Sequence, residues 1–467
     1  MATRTAISDA SATDELGGSL RGELLVPSSP DYDAARRIWN GAIDRRPACI
    51  ARCTGVADVV AAVRFARAHE LEIAVRGGGH NVAGTAVCDD GIVIDLSAMR
   101  AVWVDPASRT ARVQGGALWG DVDNETQAHG LAVTGGIVSH TGVAGLTLGG
   151  GIGWLMRKHG LTVDNLLSAH VVTAEGKTLR VSEDEHPDLF WALRGGGGNF
   201  GVVTSFDFRL HPVGTDVLAG PILWDAADTD NVLRFYRDFV HDASDELGTV
   251  VRFGTAPPLP DIPEELHWRP VVIVASCYAG PIEAAERVLR PLRAFGAPLL
   301  DLVGPTPYVD HQSGLDSTVR HGWNYYWKST YLPELSDDLV DVITEHAFSA
   351  SSPRSYAALF HLGGAVSRVS PGDTAFGNRE VSHALTLDAV WQPGEDYGDQ
   401  DVAWTRGFFA SLDRFRDGVY VNFLDADEGH DRVREAYGDA VYDRLAGVKT
   451  TYDPDNAFHH NKNIQPG

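Results

Sequence analysis

Arg76, Gly77, Gly78, Gly79, His80 and Asn81 follow one another directly, and together they offer several kinds of chemistry. Glycine lacks Cβ, so its backbone can enter the left-handed region and bring N–H groups close to a flat or anionic ligand. The arginine adds a fixed charge with planar donors suited to phosphate. At the lip of such a cradle the His80 imidazole could hydrogen-bond, ligate or be alkylated. Taken alone, the stretch also fits a tight loop.

The elements around it read as alternating strand and helix. Residues 48–52 and 71–75 are strand-like. Between them, 56–69 place Val56, Val59, Val60, Val63 and Phe65 on one helical face. Residues 31–40 are helix-like, 92–96 and 103–113 continue as strands, and 118–129 read as a helix. Strands at 167–172 and 178–181 precede a short helix at 188–193 and a strand at 202–210. The pattern breaks at His211-Pro212-Val213-Gly214. Beyond it come long helices and broad antiparallel strands at 271–278, 323–330, 356–362 and 383–391. The expected division is a disordered leader over 1–20, a first domain over 21–214, a second over 215–417, and a segment over 418–467 returning to the first. The expected fold class is α+β.

Three more segments carry chemical signals. Gly145-Leu146-Thr147-Leu148-Gly149-Gly150-Gly151-Ile152-Gly153 precedes Thr162-Val163-Asp164-Asn165; Gly195 to Val203 hold five glycines; and Tyr420-Val421-Asn422-Phe423 precedes Asn461-Lys462-Asn463. In this order and spacing, from about Pro47 to the last residue, the set resembles the vanillyl-alcohol-oxidase superfamily. Within it the chain is similar to the berberine-bridge-enzyme-like branch, in the style of bacterial 6-hydroxynicotine oxidases and sugar oxidases.

The resemblance implies FAD held across two small α/β subdomains, beside an antiparallel substrate sheet backed by helices. The matching cofactor positions are Arg76, Gly77, Gly78, Gly79, Asn81, Gly142, Gly145, Thr147, Gly149, Gly150, Gly153, Asp164, Asn165, Gly201, Val203, Asn422 and Asn461. It also implies a covalent bond from His80 to the flavin. Many relatives carry a second link from a cysteine at the position of Val138, so one bond is expected here. Cys88 reads as structural. Tyr420 matches a tyrosine near the reactive edge of the flavin, where it would take a proton as hydride leaves for N5. Phe423 replaces a tyrosine common at that place. Read as a strand, 420–422 would put Tyr420 and Asn422 on one face.

In the second domain Tyr326 and Lys328 share one strand face, and Trp323, Tyr325 and Trp327 the other. Lys328 is a candidate active-site cation; His361 is a second-choice base, as is His383. Residues 355–362 hold no carboxylate, which disfavours a cationic amine. The leading reading is therefore oxidation of an alcohol carbon of a sugar or ring-bearing natural product, with dioxygen or another acceptor reoxidising the flavin. Amine oxidation and a flavin-binding protein of vestigial activity are the alternatives.

Composition narrows the partners. Formal charge is −24 over 467 residues, which argues against nucleic acid or an anionic membrane. The charge suits a well-solvated acidic surface or adaptation to high salt. Cys49, Cys53, Cys88 and Cys277 form no paired framework, and no metal-ligand spacing emerges. Neither a signal peptide nor a membrane span is legible, so a cytoplasmic setting is expected.

Overall fold

In the computed structural model, which describes residues 10–467, the chain builds three principal sheets. The first is four-stranded. Cys49–Arg52, Ile92–Asp95 and Ile73–Arg76 run parallel, with Glu23–Leu25 antiparallel at the edge. The helix Val56–Ala68 crosses between the first two parallel strands in sequence and buries Val59, Ala62, Val63 and Ala66, the three-to-four spacing of an amphipathic helix. The expected strands and helix form, with ends displaced by a residue or two.

The second sheet is antiparallel, ordered Val102–Asp105, Thr110–Gln114, Val202–Arg209, Leu166–Val172 and Thr178–Ser182. Phe206 and Phe208 alternate inward from its central strand. A register shift between Val203 and Ser205 lies just after the glycine loop, where the strand begins. The C-terminal helices His430–Tyr437 and Asp439–Tyr452 pack on the same core through Tyr437, Tyr442 and Leu445.

The third sheet is wholly antiparallel. Its order is Leu300–Asp301, Asp216–Asp225, Pro270–Tyr278, Leu247–Thr255, Tyr356–His361, His383–Trp391 and Asn324–Leu332, with Gly304–Pro307 also pairing to Asp216–Asp225. One face carries Val251, Phe253, Val272, Val274, Leu359, Leu385 and Leu387. It is covered by the helices Thr229–His241, Ile282–Arg293, Asp337–His346 and Gly398–Ser411. Because strand side chains alternate, the other face is left to line a cavity.

Three expectations are corrected. Residues 1–9 of the supposed leader lie outside the described residues, but Ala10–Ser19 form a helix whose Leu16 is buried against the first core. The helix expected over 31–40 spans only Tyr32–Ala35. Beyond it Trp39 and Asn40 turn into the junction with the third sheet: Asn40 Nδ2 donates to Val82 O and Tyr325 O, and Trp39 Nε1 donates to Val319 O. Finally, Val421–Phe423 is a single 3₁₀ turn, not a strand.

Other buried ties fix the site. Arg379 forms a two-pronged ion pair with Asp164 at 2.7 and 3.0 Å. Lys449, fully buried, donates to Asp453, Phe458 O and Asn199 O, which pins the third glycine loop to the C-terminal segment. Among the described residues no helix is long and apolar enough to cross a membrane.

Candidate active site

The glycine loops and the free face of the third sheet enclose a cavity of about 620 Å³. On the loop side, Gly78 and Gly142 stand back to back. A Cβ on Gly78 would fall 2.5 Å from Gly142 Cα, and one on Gly142 would fall 2.3 Å from Gly78 N. No other residue fits that approach. Gly145 and Gly198 instead line the cavity with nothing within 4 Å of a notional Cβ. Among the described residues, the backbone N–H groups of Gly77–Asn81 donate to no protein acceptor, so they form a nest for an anion or carbonyl. Asn81 Oδ1 and Asn461 Oδ1 are buried, without a hydrogen-bond partner, in residues that line the same cavity.

His80 is held from two sides. Its ring stacks on Trp39 at 4.2 Å and 18°, and Trp39 stacks in turn on Tyr325 at 3.7 Å. Its Nε2 lies 3.1 Å from His140 Nδ1, and His321 closes the group edge-on to His80. Burial first, then the neighbouring imidazoles, pushes the His80 pKa well below the usual histidine value. The ring is therefore neutral at physiological pH, and a neutral imidazole is the nucleophilic form. Val138 lines the cavity, and the four cysteines are buried and free.

Of the expected cofactor residues, Gly77, Gly78, Gly79, His80, Asn81, Gly142, Gly145, Gly201, Val203, Asn422 and Asn461 line the cavity. The others do not, and all but Thr147, whose buried hydroxyl has no partner, are committed elsewhere. Arg76 donates to Ala35 O and Asp95, its register partner in the parallel pair. Asp164 pairs with Arg379, and Asn165 holds the carbonyls of His159 and Leu161. Thr147 is fully buried. Gly149, Gly150 and Gly153 make room for Asn422, Phe376 and the Gly135 carbonyl. They support the cradle without facing it. The lysine that does line the cavity is Lys462, whose ammonium donates to Asp425 O at 2.8 Å and whose pKa burial lowers to about 8. The motif containing it was noticed in the sequence, but only Asn461 was singled out there.

The expected catalytic residues separate in the same way. Tyr420 lines the cavity, and its hydroxyl oxygen accepts from Gly151 N–H at 2.8 Å and from Asn422 Nδ2 at 2.7 Å. Those donors favour phenolate, yet burial outweighs them and raises the pKa to about 12. Lys328 is on the opposite sheet face, ion-paired with Asp427 and Glu428. His361 also faces away. It lies 3.2 Å from Arg157 Nη1 and stacks with His383, and burial first, then those charges, lower its pKa to about 2. Neither of these two reaches the cavity.

The sheet supplies what the sequence reading missed. Cavity-facing residues alternate along each strand: Val250 and Arg252, Tyr356, Ala358 and Phe360, Thr386 and Asp388, with Trp327 at the edge. Asp388 is buried between its register partners Tyr356 and Trp327 and accepts from Thr386 Oγ1 at 2.6 Å. Burial pushes its pKa up to about 7, against the pull of Thr386 and the Arg252 charge. A signal existed: aspartate is disfavoured within strands, and Asp388 interrupts an otherwise apolar run.

Comparison with known proteins decides what this cavity is built to hold. Residues 47–182 match the model of an FAD binding domain, and residues 419–465 match a berberine and berberine-like domain. The (R)-6-hydroxynicotine oxidase of Paenarthrobacter nicotinovorans is 34% identical, over 96% of this chain and 97% of its own. The chain belongs to the berberine-bridge-like family of FAD-linked oxidoreductases. The crystal structure of 6-hydroxy-D-nicotine oxidase from Arthrobacter nicotinovorans superposes with a TM-score of 0.85 at 32% identity, covering 96% of this chain and 99% of that one. Xylooligosaccharide oxidase from Myceliophthora thermophila C1, in complex with xylobiose, gives 0.85 at 25% identity and covers 98% and 99%. The two-domain α+β architecture expected from the sequence is the family's. FAD fits this member's cavity: free backbone donors suit a pyrophosphate, while the unpartnered Asn81 and Asn461 oxygens suit hydroxyl or amino donors. This protein is an FAD-dependent oxidoreductase.

Proposed function

We propose that this flavoprotein oxidises an alcohol carbon of a sugar or ring-bearing natural product, with Asp388 accepting the hydroxyl proton. The observation that carries the reading is a buried carboxylate on the cavity wall whose pKa stands near neutrality, where a general base works best. Bound FAD would supply a two-electron acceptor, fixed by one covalent bond through His80 and reoxidised by dioxygen or another acceptor. Asp388 takes the proton. Tyr420, neutral up to about pH 12, keeps its O–H as a donor that orients the substrate oxygen. Trp327 and Tyr356 flank Asp388 as aromatic walls suited to a ring, and the Trp327 N–H is buried without a partner. The xylobiose bound by the fungal relative supports a carbohydrate-sized ligand.

A second reading is amine oxidation, favoured by the 6-hydroxynicotine oxidase relatives and by the Asp388 carboxylate that an ammonium would need. Arg252 on the same wall opposes it, because like charges in a confined site repel. The same proposal assigns residues 21–214 and 418–467 to the cofactor, 215–417 to the substrate, and a cytoplasmic setting. Sugars, alcohols and amines scored by anaerobic bleaching of the flavin test it. At least one alcohol is expected to bleach the wild type, and Asp388→Asn to slow that step by about 10²-fold or more. Bleaching by amines alone sinks the alcohol reading.

A further inference from the structure

Arg252 rises from the middle of the strand Leu247–Thr255 into the cavity wall. Its Nη1 donates to Thr255 O at 3.0 Å, and its guanidinium lies 4.5 Å from the Tyr356 ring centre. A guanidinium offers five N–H donors, and among the described residues this is its only hydrogen bond to an oxygen and no carboxylate is within ion-pair reach. Arg252 is half-buried, and the fully buried arginines are provided for. Arg76 and Arg379 each sit against an aspartate, and Arg157 donates to the carbonyls of Leu362 and Ala243. Asp388 is the carboxylate whose charge reaches Arg252, from across the wall and without an ion pair, and a cation drawn from bulk water without a contacting counter-charge is costly.

We propose that a contacting counter-charge arrives with the substrate, as a carboxylate bound by Arg252. The inference deepens the alcohol reading and rests on it: the substrate is a hydroxy acid, such as a sugar acid or a hydroxylated ring acid. Register places the two groups suitably. Arg252 is opposite Ala358, which is opposite Thr386, while Asp388 is opposite Tyr356 one step along. Their strands are therefore two apart, roughly 10 Å between backbones, a span that one or two sugar rings bridge. The planar fork of one guanidinium matches a planar monoanion in shape and charge. A phosphate dianion would leave excess negative charge in a cavity already lined by Asp388 and, at its exposed rim, Asp310 and Asp261.

Binding without turnover tests this separately from the reading it rests on. The holoenzyme is titrated with benzoate and with its neutral isostere benzamide, following the flavin absorption spectrum. Benzoate is expected to bind at least about tenfold tighter, the worth of a charge-assisted hydrogen bond. That preference should vanish in Arg252→Met and return in part in Arg252→Lys, with both variants retaining yellow flavin. Equal binding of the two probes by the wild type, or a preference that survives Arg252→Met, overturns the proposal. The wild-type ratio decides even if the methionine variant fails to fold. Failure of every alcohol to bleach the flavin would instead strike the alcohol reading and leave this binding result intact.

Discussion

Nε2 of His80 lies 3.1 Å from Nδ1 of His140, so one ring nitrogen of His80 is engaged by the protein and Nδ1 is the one left for a flavin. Acid-precipitated wild type is expected to keep its colour in the pellet, and His80→Ala to release it to the supernatant. A colourless wild-type pellet would reject the covalent link.

Asp388 and Tyr420 compete for the role of base, and their pKa values of about 7 and 12 make different predictions. The rate of flavin reduction should rise with pH through about 7 as Asp388 ionises. Tyr420→Phe should keep that inflection while losing about 1–3 kcal/mol of stability for the buried Gly151 N–H it orphans, since Asn422 Nδ2 keeps Leu146 O. An inflection that disappears in Tyr420→Phe would return the role to the tyrosine. Stability should move oppositely for Asp388. Its folded pKa is above the unfolded value, so the stability it contributes is lost as pH rises from about 4 to 7. Asp388→Asn is therefore expected to raise Tm at pH 8 while abolishing most flavin reduction.

Lys462 is charged below about pH 8 and loses its charge above it. In a His80→Ala background, where FAD can exchange, affinity for FAD should fall as pH passes through 8. Lys462→Met should bind FAD more weakly at pH 7 and show no such fall; equilibrium titration of flavin fluorescence reads both.

Lys449 has no exposure and three oxygen partners. Replacing it with methionine leaves Asp453 as an unpaired buried charge, and a loss of about 3–5 kcal/mol is expected by denaturant unfolding. A change under 1 kcal/mol would show that the loop–tail tie is not structural.

The cradle was legible because backbone geometry selects the residue type. Gly78 and Gly142 exclude any Cβ, so their motifs appear as glycine. The polar wall was not legible. Strand periodicity separated Tyr326 and Lys328 from Trp327, but which face meets the cavity depends on where the covering helices pack. Arg76 misled for a similar reason: its partner Asp95 is found only through the register of two parallel strands. Arg252 and Asp388 lie in separate strands, within apolar runs that mark the strands and hide them. Tyr420 and Asn422 do come together, but through a tight turn that no alternation rule describes.

The cavity takes its lining from residues as distant as Trp39 and Lys462. A chain still emerging from the ribosome has no complete groove until Lys462 has left the exit tunnel, so cofactor loading has to follow synthesis of that segment. A premature stop shortly before Phe458 would take one oxygen partner from Lys449 and Ile464 from the core, and leave the groove open along one side.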